Sequence, residues 1–458
     1  MFSGSDGEIF FMIKPYKSLD ITCKHMTQSS INEAIIQHDI QWIQLHFTDL
    51  LGGLRAVHYP ADRFIKDDIL TNGCGFDGSS VGLNRVESSD MIAIPDPETF
   101  LILPHEHHEA LILADIYDTS RKPSILDPRH ALKKAMADAK EKGFDDIIIA
   151  PEMEFFILTE DSENPYEPLA NKGYFTPPPV DDVKDFRKNL ANLLLKSNIE
   201  VKYHHHENGR YQHEIEVKPI SAVPSADFCM YFKYLSKDLA SDTNMQVTFI
   251  PKLFPDESGN GMHAHLKLLH QKENVFYDQN DENYLSDTAK YFIGGILRHA
   301  KSIAAFANPT MNSYKRLIPH YEAPLYIAWG RHNRSSLIRI AEKKNVDLEI
   351  RNGDPSANPY LFFAALIYAG LDGIKNKWYV DPINQNIYEM SEKELDSLGI
   401  QKLPSTLLEA LQELEHDTYL KETMGKNLID TYIELKKKEL NMYLSEVSDV
   451  DVKYYLHC

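Results

Sequence analysis

The run Ile147-Ile-Ile-Ala-Pro-Glu-Met-Glu-Phe-Phe-Ile-Leu158 constrains the fold more than any other stretch of the chain. Its length and its β-branched and aromatic content predict a buried strand. Side chains two residues apart on a strand point to one face. Glu152 and Glu154 therefore stand side by side on one face of that strand. A buried carboxylate is costly unless a cation or a metal compensates it. Whatever sheet this strand joins must bring positive charge to that face.

Three further strand candidates carry polar groups at period two among apolar neighbours. They are Gln212 and Glu214, preceded by His204-His-His-Glu207; His263, His265 and Lys267; and Glu349 with Arg351. One such strand alone reads as solvated on its polar side. Four in one domain predict a cavity lined by at least five carboxylates and a histidine. Carboxylates with one imidazole suit Mg²⁺ or Mn²⁺ rather than zinc, and five acids exceed what one such ion takes. Two or more ions are expected, an arrangement that serves phosphoryl transfer. Arg316, Arg331, Arg334, Arg339 and Arg351 crowd one stretch and suit carboxylate or phosphate recognition. Gly259-Asn-Gly261 gives a flexible approach to the His263 strand. No GxxxxGK[ST] or strand-borne GxGxxG occurs, so a nucleotide would be held without a P-loop.

The chain has 458 residues, enough for two domains. A net charge of −20 argues against nucleic-acid backbone and anionic membranes as partners. The four cysteines are scattered, and no apolar run approaches a membrane span, so a cytoplasmic protein is expected. Helix Ser29–His38, strand Gln41–Thr48, turn Asp49–Gly53, strand Leu54–Tyr59 and strand Ala110–Tyr117 make a small mixed domain. Beyond Asp127 come helices Ala131–Lys142, Val183–Lys196, Tyr291–Ala307 and Pro359–Lys375, and a helical stretch over 407–446. Strands Gln212–Val217, Gln246–Pro251, Met262–Leu269, Ser336–Ile340 and Leu348–Arg351 lie between them. The class is α+β, with antiparallel strands dominating the larger domain. His105-Glu-His-His-Glu109 has ligand-like composition but lacks HExxH spacing and reads as a surface loop.

The motifs resemble class I glutamine synthetase in order along the chain. They include Gly75-Phe-Asp-Gly-Ser-Ser80, Pro151-Glu-Met-Glu-Phe-Phe156, His205-His-Glu207, Gln212-His-Glu214, Gly261-Met-His-Ala-His265, Asn308-Pro-Thr-Met-Asn-Ser-Tyr-Lys-Arg316, Tyr321-Glu-Ala-Pro324, Asn333-Arg-Ser335, Ile338-Arg-Ile340 and Asp354-Pro-Ser-Ala-Asn-Pro-Tyr360. The resemblance implies an N-terminal extension (1–27), a β-grasp domain (28–118) and a catalytic domain with a curved antiparallel sheet flanked by helices (119–458). It implies a dodecamer of two hexameric rings acting on L-glutamate, ammonium and ATP. By matching position, Glu154, Glu207 and Glu214 would hold one metal, and Glu152, His263 and Glu349 the other. Ser258, Gly259, Arg316, Glu322, Arg334 and Arg351 would meet glutamate. Asp77, Ser80, Tyr174 and Glu207 would form the ammonium site, with Asp77 reaching from a neighbouring subunit. Arg334 and Arg339 would meet the transferring phosphate, beside Lys202, His265, Lys267 and Lys344 at the nucleotide. Glu322 would ride a flap and take a proton from ammonium.

The chain departs from the family pattern at the nucleotide end. Asp347 stands where an arginine is usual, Lys267 where a small hydroxyl residue is usual, Lys202 where an acid can occur, and Pro219 where an aromatic can stack. Ser258 replaces an asparagine. Tyr388 matches the tyrosine modified in the adenylylated subgroup, but the insertion between Glu154 and Tyr174 found there is missing, which places the chain with the non-adenylylated subgroup. Two other readings share most of these residues: a γ-glutamyl-amine ligase with a larger amine, and a catalytically silent relative. The intact ammonium set favours ammonia over a larger amine.

Overall fold

The computed structural model describes residues 26–84, 86–159, 173–319, 321–341 and 346–456. Lys344 and residues 1–25 lie outside the described residues. Two sheets organise the chain. In the first, of six strands, Trp42–Thr48 pairs antiparallel with Leu54–Pro60 as the expected hairpin, and parallel with Glu109–Asp118. Asp49 closes the hairpin turn, accepting from the Leu51 and Gly53 amides at 3.0 and 2.7 Å. Asp90–Pro95 lies beyond Glu109–Asp118 and carries Cys74–Asp77 at the sheet edge, so Asp77 ends an edge strand. The helix Gln28–Gln37, capped by Thr27, buries Ile31 and Ile35.

The second sheet has 11 strands. Its main path runs Gln401–Lys402, Tyr326–Arg331, Ser336–Ile340, Leu348–Ile350, Met262–His270, Asp146–Leu158, Gln212–Val217, Val201–His206. Its pairs are antiparallel except Tyr326–Arg331 with Ser336–Ile340. Alternation along the strands separates two faces. Ile147, Ile149, Met153, Phe155 and Ile157 are fully buried on one face, as are Met262, Ala264, Leu266 and Leu268. Phe155 meets Phe232 edge-on at 5.4 Å, on the helix Ala222–Ser241. Glu152, Glu154, His263 and His265 take the other face.

Helix Ala222–Ser241 is absent from the sequence expectations. It is buried on most sides, so it shows no amphipathic stripe, and Pro224 reads as a breaker although a first-turn proline loses no helical hydrogen bond. Strands Asp90–Pro95, Val201–His206 and Tyr326–Arg331 were also not anticipated, and the expected Gln246–Pro251 strand ends at Thr248. The helices Asp287–Ala307 and Pro359–Asn376 pack backbone to backbone. A Cβ on Gly295 would lie 2.0 Å from the Ala369 carbonyl oxygen. Among the described residues no helix is long and apolar enough to cross a membrane.

One buried arginine ties the two halves together. Arg129, in the first turn of helix Pro128–Glu141, donates through Nη1 to Asp96 and Asp115 of the first half at 2.8 and 2.7 Å. Through Nε and Nη2 it donates to Asp227 of the Ala222–Ser241 helix at 2.9 and 2.8 Å. Without it, among the described residues, Asp96 and Asp115 keep only Lys133 as a cation, and the largely buried Asp227 keeps only the Tyr360 hydroxyl. Arg129→Ala is expected to cost about 3–5 kcal/mol in guanidinium unfolding. Arg129→Lys should recover only part of this, because an ammonium cannot span both sides. A loss under about 1 kcal/mol for the alanine variant would refute the clamp.

Candidate active site

Register places the polar side chains in rows across the sheet. Glu152 stands opposite His263 on one side and Glu216 on the other; Glu154 stands opposite Glu214, which faces His205. His265 stands opposite Glu349, which faces Arg339. Hydrogen bonds then fix one half of the cluster. Glu152 meets His265 Nε2 at 2.7 Å and His263 Nδ1 at 2.8 Å. Glu349 accepts from Arg351 Nε at 3.0 Å and from Arg339 Nη1 at 2.5 Å. Burial works against both carboxylates, yet His265 and His263 hold Glu152 well below the usual range, and Arg351 with the imidazoles holds Glu349 low.

In the other half His205 alone among the described residues stands close to two acids, 3.3 Å from Glu207 and 3.7 Å from Glu214. Burial and the neighbouring Glu154 push Glu207 up to about 8. Burial and Glu152, Glu154 and Glu207 push Glu214 well above its ordinary value. Glu154 accepts from the Gly261 amide and from Gln212 Nε2, both at 2.8 Å, but burial still outweighs these and the nearby cations and raises it. A donor set of clustered acids that cannot all ionise alone fits a divalent cation. Ligand atoms within 4.8 Å of one another group Glu152 with His265 and Glu349, His205 with Glu207 and Glu214, and Glu152 with Glu214 and Glu216. Neither predicted triad recurs among these groups: Glu154 and His263 share the face by register but belong to none of them, whereas His205, His265 and Glu216 do. Glu216 accepts from Lys202 Nζ at 2.9 Å and from the Tyr203 hydroxyl. It was missed although it extends the Gln212–Glu214 period by one step.

A narrow polar cleft opens beside this cluster, with Glu154, Glu207, Ser258, Gly259, Arg316, Tyr321 and Glu322 on its walls. Arg316 is buried, and its Nη1 donates to the Asn352 carbonyl at 3.0 Å. A Cβ at Gly261 would sit 2.8 Å from Arg316 Nη2, so a larger residue there would displace that guanidinium. Arg351 is not on the cleft wall. Its guanidinium donates to Glu349, to the Arg334 carbonyl and, at 3.2 Å, to the Glu322 carbonyl. Arg334 and Glu322 have exposed side chains, and Glu322 takes the left-handed φ of 61°.

The remaining predicted residues fall at two edges. His265 lies between Glu152 and Asp347, whose Oδ2 is 3.4 Å from Nδ1, and Lys267 is buried on the same strand. Tyr174 stacks on Phe175 with centroids 4.0 Å apart and meets His205 edge-on. Asp77 accepts from the Ser79 amide, the Ser79 hydroxyl and the Ser80 hydroxyl at 2.9, 2.7 and 2.6 Å, which hold it at about 2. Among the described residues no hydrogen bond joins Asp77 to Glu207 or Tyr174. The His105–Glu109 segment runs through a loop into the Glu109–Asp118 strand, and His105 Nε2 contacts Asp238 at 2.9 Å.

Family models match both halves: "Glutamine synthetase, beta-Grasp domain" over residues 39–119 and "Glutamine synthetase, catalytic domain" over residues 125–455. Glutamine synthetase of Methanocaldococcus jannaschii is 39% identical over 439 residues, 93% of this chain and 97% of that one. The Staphylococcus aureus enzyme is 38% identical over 439 residues, 94% and 98% of the two chains. Among solved structures, a GmaS–ADP complex matches with a TM-score of 0.86 at 30% identity, over 93% of this chain and 99% of that one. The cryoEM structure of Plasmodium falciparum glutamine synthetase matches at 0.84 and 28%, over 96% and 100%.

The raised carboxyls give a pH prediction. Glu207 moves from 4.5 to about 8, so the folded metal-free protein binds its proton more tightly than the unfolded chain does. That contribution to stability is full below pH 4.5 and is lost as pH rises towards 8. Metal binding must displace the proton. Mg²⁺ or Mn²⁺ is therefore expected to raise the melting temperature more at pH 8.5 than at pH 6, and Glu207→Gln to flatten that difference. An equal metal effect at both pH values in the unmutated protein would overturn this account.

Proposed function

The chain belongs to the glutamine synthetase family, and we propose that it is an ATP-dependent, ADP-forming ligase that makes L-glutamine from L-glutamate and ammonia through γ-glutamyl phosphate. The observation that carries this reading is the convergence of Glu152, Glu154, Glu207, Glu214, Glu349 and His263 on one sheet face beside a cleft holding Arg316 and Glu322. Glu154, Glu207 and Glu214 would hold one Mg²⁺ or Mn²⁺, and Glu152, His263 and Glu349 the other. Bound there, such ions neutralise charge on the phosphate oxygens.

The chain's own groups do the rest. Arg316, oriented in advance by Asn352, would bind a glutamate carboxylate, with Ser258 and the Gly259 backbone alongside. Arg351 contributes by fixing the backbone of Arg334 and Glu322 beside the substrate. Lys202, His265, Lys267 and Lys344 would flank ATP. A γ-carboxylate oxygen of glutamate attacks the terminal phosphorus, and the bond to ADP breaks. Arg334 and Arg339 would stabilise the phosphoryl oxygens. Asp77 of a neighbouring subunit would join Ser80, Tyr174 and Glu207 in holding ammonium. Ammonia then attacks the γ-carbon, phosphate leaves, and Glu322 takes a proton while its flap keeps water out.

A dodecamer would supply that neighbour, and Met442, Leu444, Val447, Val450 and Tyr454 near the C-terminus are exposed in the single chain. The Tyr388 hydroxyl donates to the Ala323 carbonyl at 2.7 Å, and the missing insertion between Glu154 and Tyr174 is what supports placing the chain in the non-adenylylated subgroup. Unpaired Cys74 and Cys229 suit the cytoplasm. Phosphate release from ATP and glutamate with ammonium, or with a panel of amines, tests the reading. Turnover only with larger amines, or with none, would overturn it. Glu322→Ala is expected to lower glutamine formation about 10²-fold or more while divalent-metal affinity stays unchanged. Lost metal binding in that variant would refute the flap role.

A further inference from the structure

We infer that Lys252 is a positioning residue that couples the Glu257–Gly259 turn to the Tyr321–Ala323 segment; this rests on the reading of the cleft as the glutamate site. Lys252 is 6% exposed, and its backbone is locked. Its amide donates to Asn312 Oδ1 at 2.7 Å, and Asn312 Nδ2 donates back to its carbonyl at 2.9 Å. The side chain is thereby aimed at two targets. Its ammonium donates to the Glu257 carbonyl and lies 4.0 Å from the centroid of the Tyr321 ring. Among the described residues it forms no ion pair, so a carbonyl and a ring face together hold the cation.

Each target leads into the cleft. Glu257 precedes Ser258 and Gly259, and that turn folds back tightly on residues 250–251. A Cβ on Gly259 would lie 2.2 Å from the Pro251 carbonyl oxygen, and the Asn260 amide donates to that same oxygen at 2.8 Å. Tyr321 precedes Glu322. Arg351 holds the carbonyl of Glu322 and the Tyr388 hydroxyl holds that of Ala323, so the backbone on one side is fixed. The ring of Tyr321 is fixed by Lys252. A ligand that seats the Ser258–Gly259 backbone therefore settles the Lys252 cation, and the cation settles the aromatic residue beside Glu322. Lys252 touches no reacting atom. Its role is to keep the segment carrying Glu322 over the site while an acyl phosphate is present.

The test measures phosphate released per glutamine formed, with glutamate KM and divalent-metal affinity alongside. The unmutated protein and Lys252→Arg, which keeps a cation over the ring, should release about one phosphate per glutamine. Lys252→Met keeps the stem and loses the charge. It should release several phosphates per glutamine and raise glutamate KM about tenfold, with metal affinity unchanged. Tyr321→Leu should reproduce this, and it alters a half-exposed residue, so it reports even where Lys252→Met folds poorly. Unchanged stoichiometry and KM in Lys252→Met, or in Tyr321→Leu, would overturn the inference alone. An unmutated protein that makes no glutamine would instead sink the underlying reading.

Discussion

Six carboxylates, Glu152, Glu154, Glu207, Glu214, Glu216 and Glu349, cluster at one sheet face, all but Glu152 buried, and the structure depends on where their counter-charges stand. Glu349 has Arg339 directly across and Arg351 two residues along; Glu152 has His263 across and His265 on the diagonal. Both arrangements follow from period two and from register. A slip of one residue would carry every acid onto the face where Ile149, Met153 and Phe155 pack. In the second half the only close basic partner of Glu207 and Glu214 among the described residues is His205, 3.3 and 3.7 Å away, and burial together with mutual repulsion raises these carboxyls. The site is therefore asymmetric before any ligand arrives. Against the cost of burial, imidazole and guanidinium groups favour the charged carboxylates in one half, and in the other burial and mutual repulsion disfavour them.

That asymmetry reaches the rim through a single guanidinium. Arg351 pairs with Glu349 and also holds the carbonyls of Arg334 and Glu322. The ionised half of the cluster thus sets the position of the loop carrying Arg334 and of the segment carrying Glu322. The apolar face below supplies the rigidity. Its strands rest on helices whose own approach is as close as the Gly295–Ala369 contact allows. Arg129 performs a comparable task between the two sheets, again with one planar cation satisfying acids from separate elements.

Much of this was legible in the sequence because strand alternation is a local rule. The Glu152–Glu154, His263–His265 and Glu349–Arg351 pairs each declared a shared face, and the hairpin at Asp49–Gly53 declared its turn. What local rules cannot supply is which strands are neighbours. The sequence therefore gave no sign that Asn312 would brace Lys252, or that Arg351 would reach the Glu322 carbonyl 29 residues away. Helix Ala222–Ser241 stayed hidden for a related reason: burial on most sides erases the polar stripe that marks a surface helix.

The departures at the nucleotide end make sense as a set. Burial works against a charged His265, yet Glu152 and Asp347 hold it well above its ordinary range. An arginine in place of Asp347 would put a second cation against that imidazolium and remove one of its two acids. With Asp347 present, the positive charge at this end is carried by His265 and by lysines. Lys202 is drawn to Glu216, with Glu152 and Asp347 also favouring its charge, and Lys267 lies on the His265 strand. In the proposed nucleotide site a rigid bidentate fork would give way to point charges on flexible stems and one clasped imidazole, which would recognise phosphate by charge more than by shape.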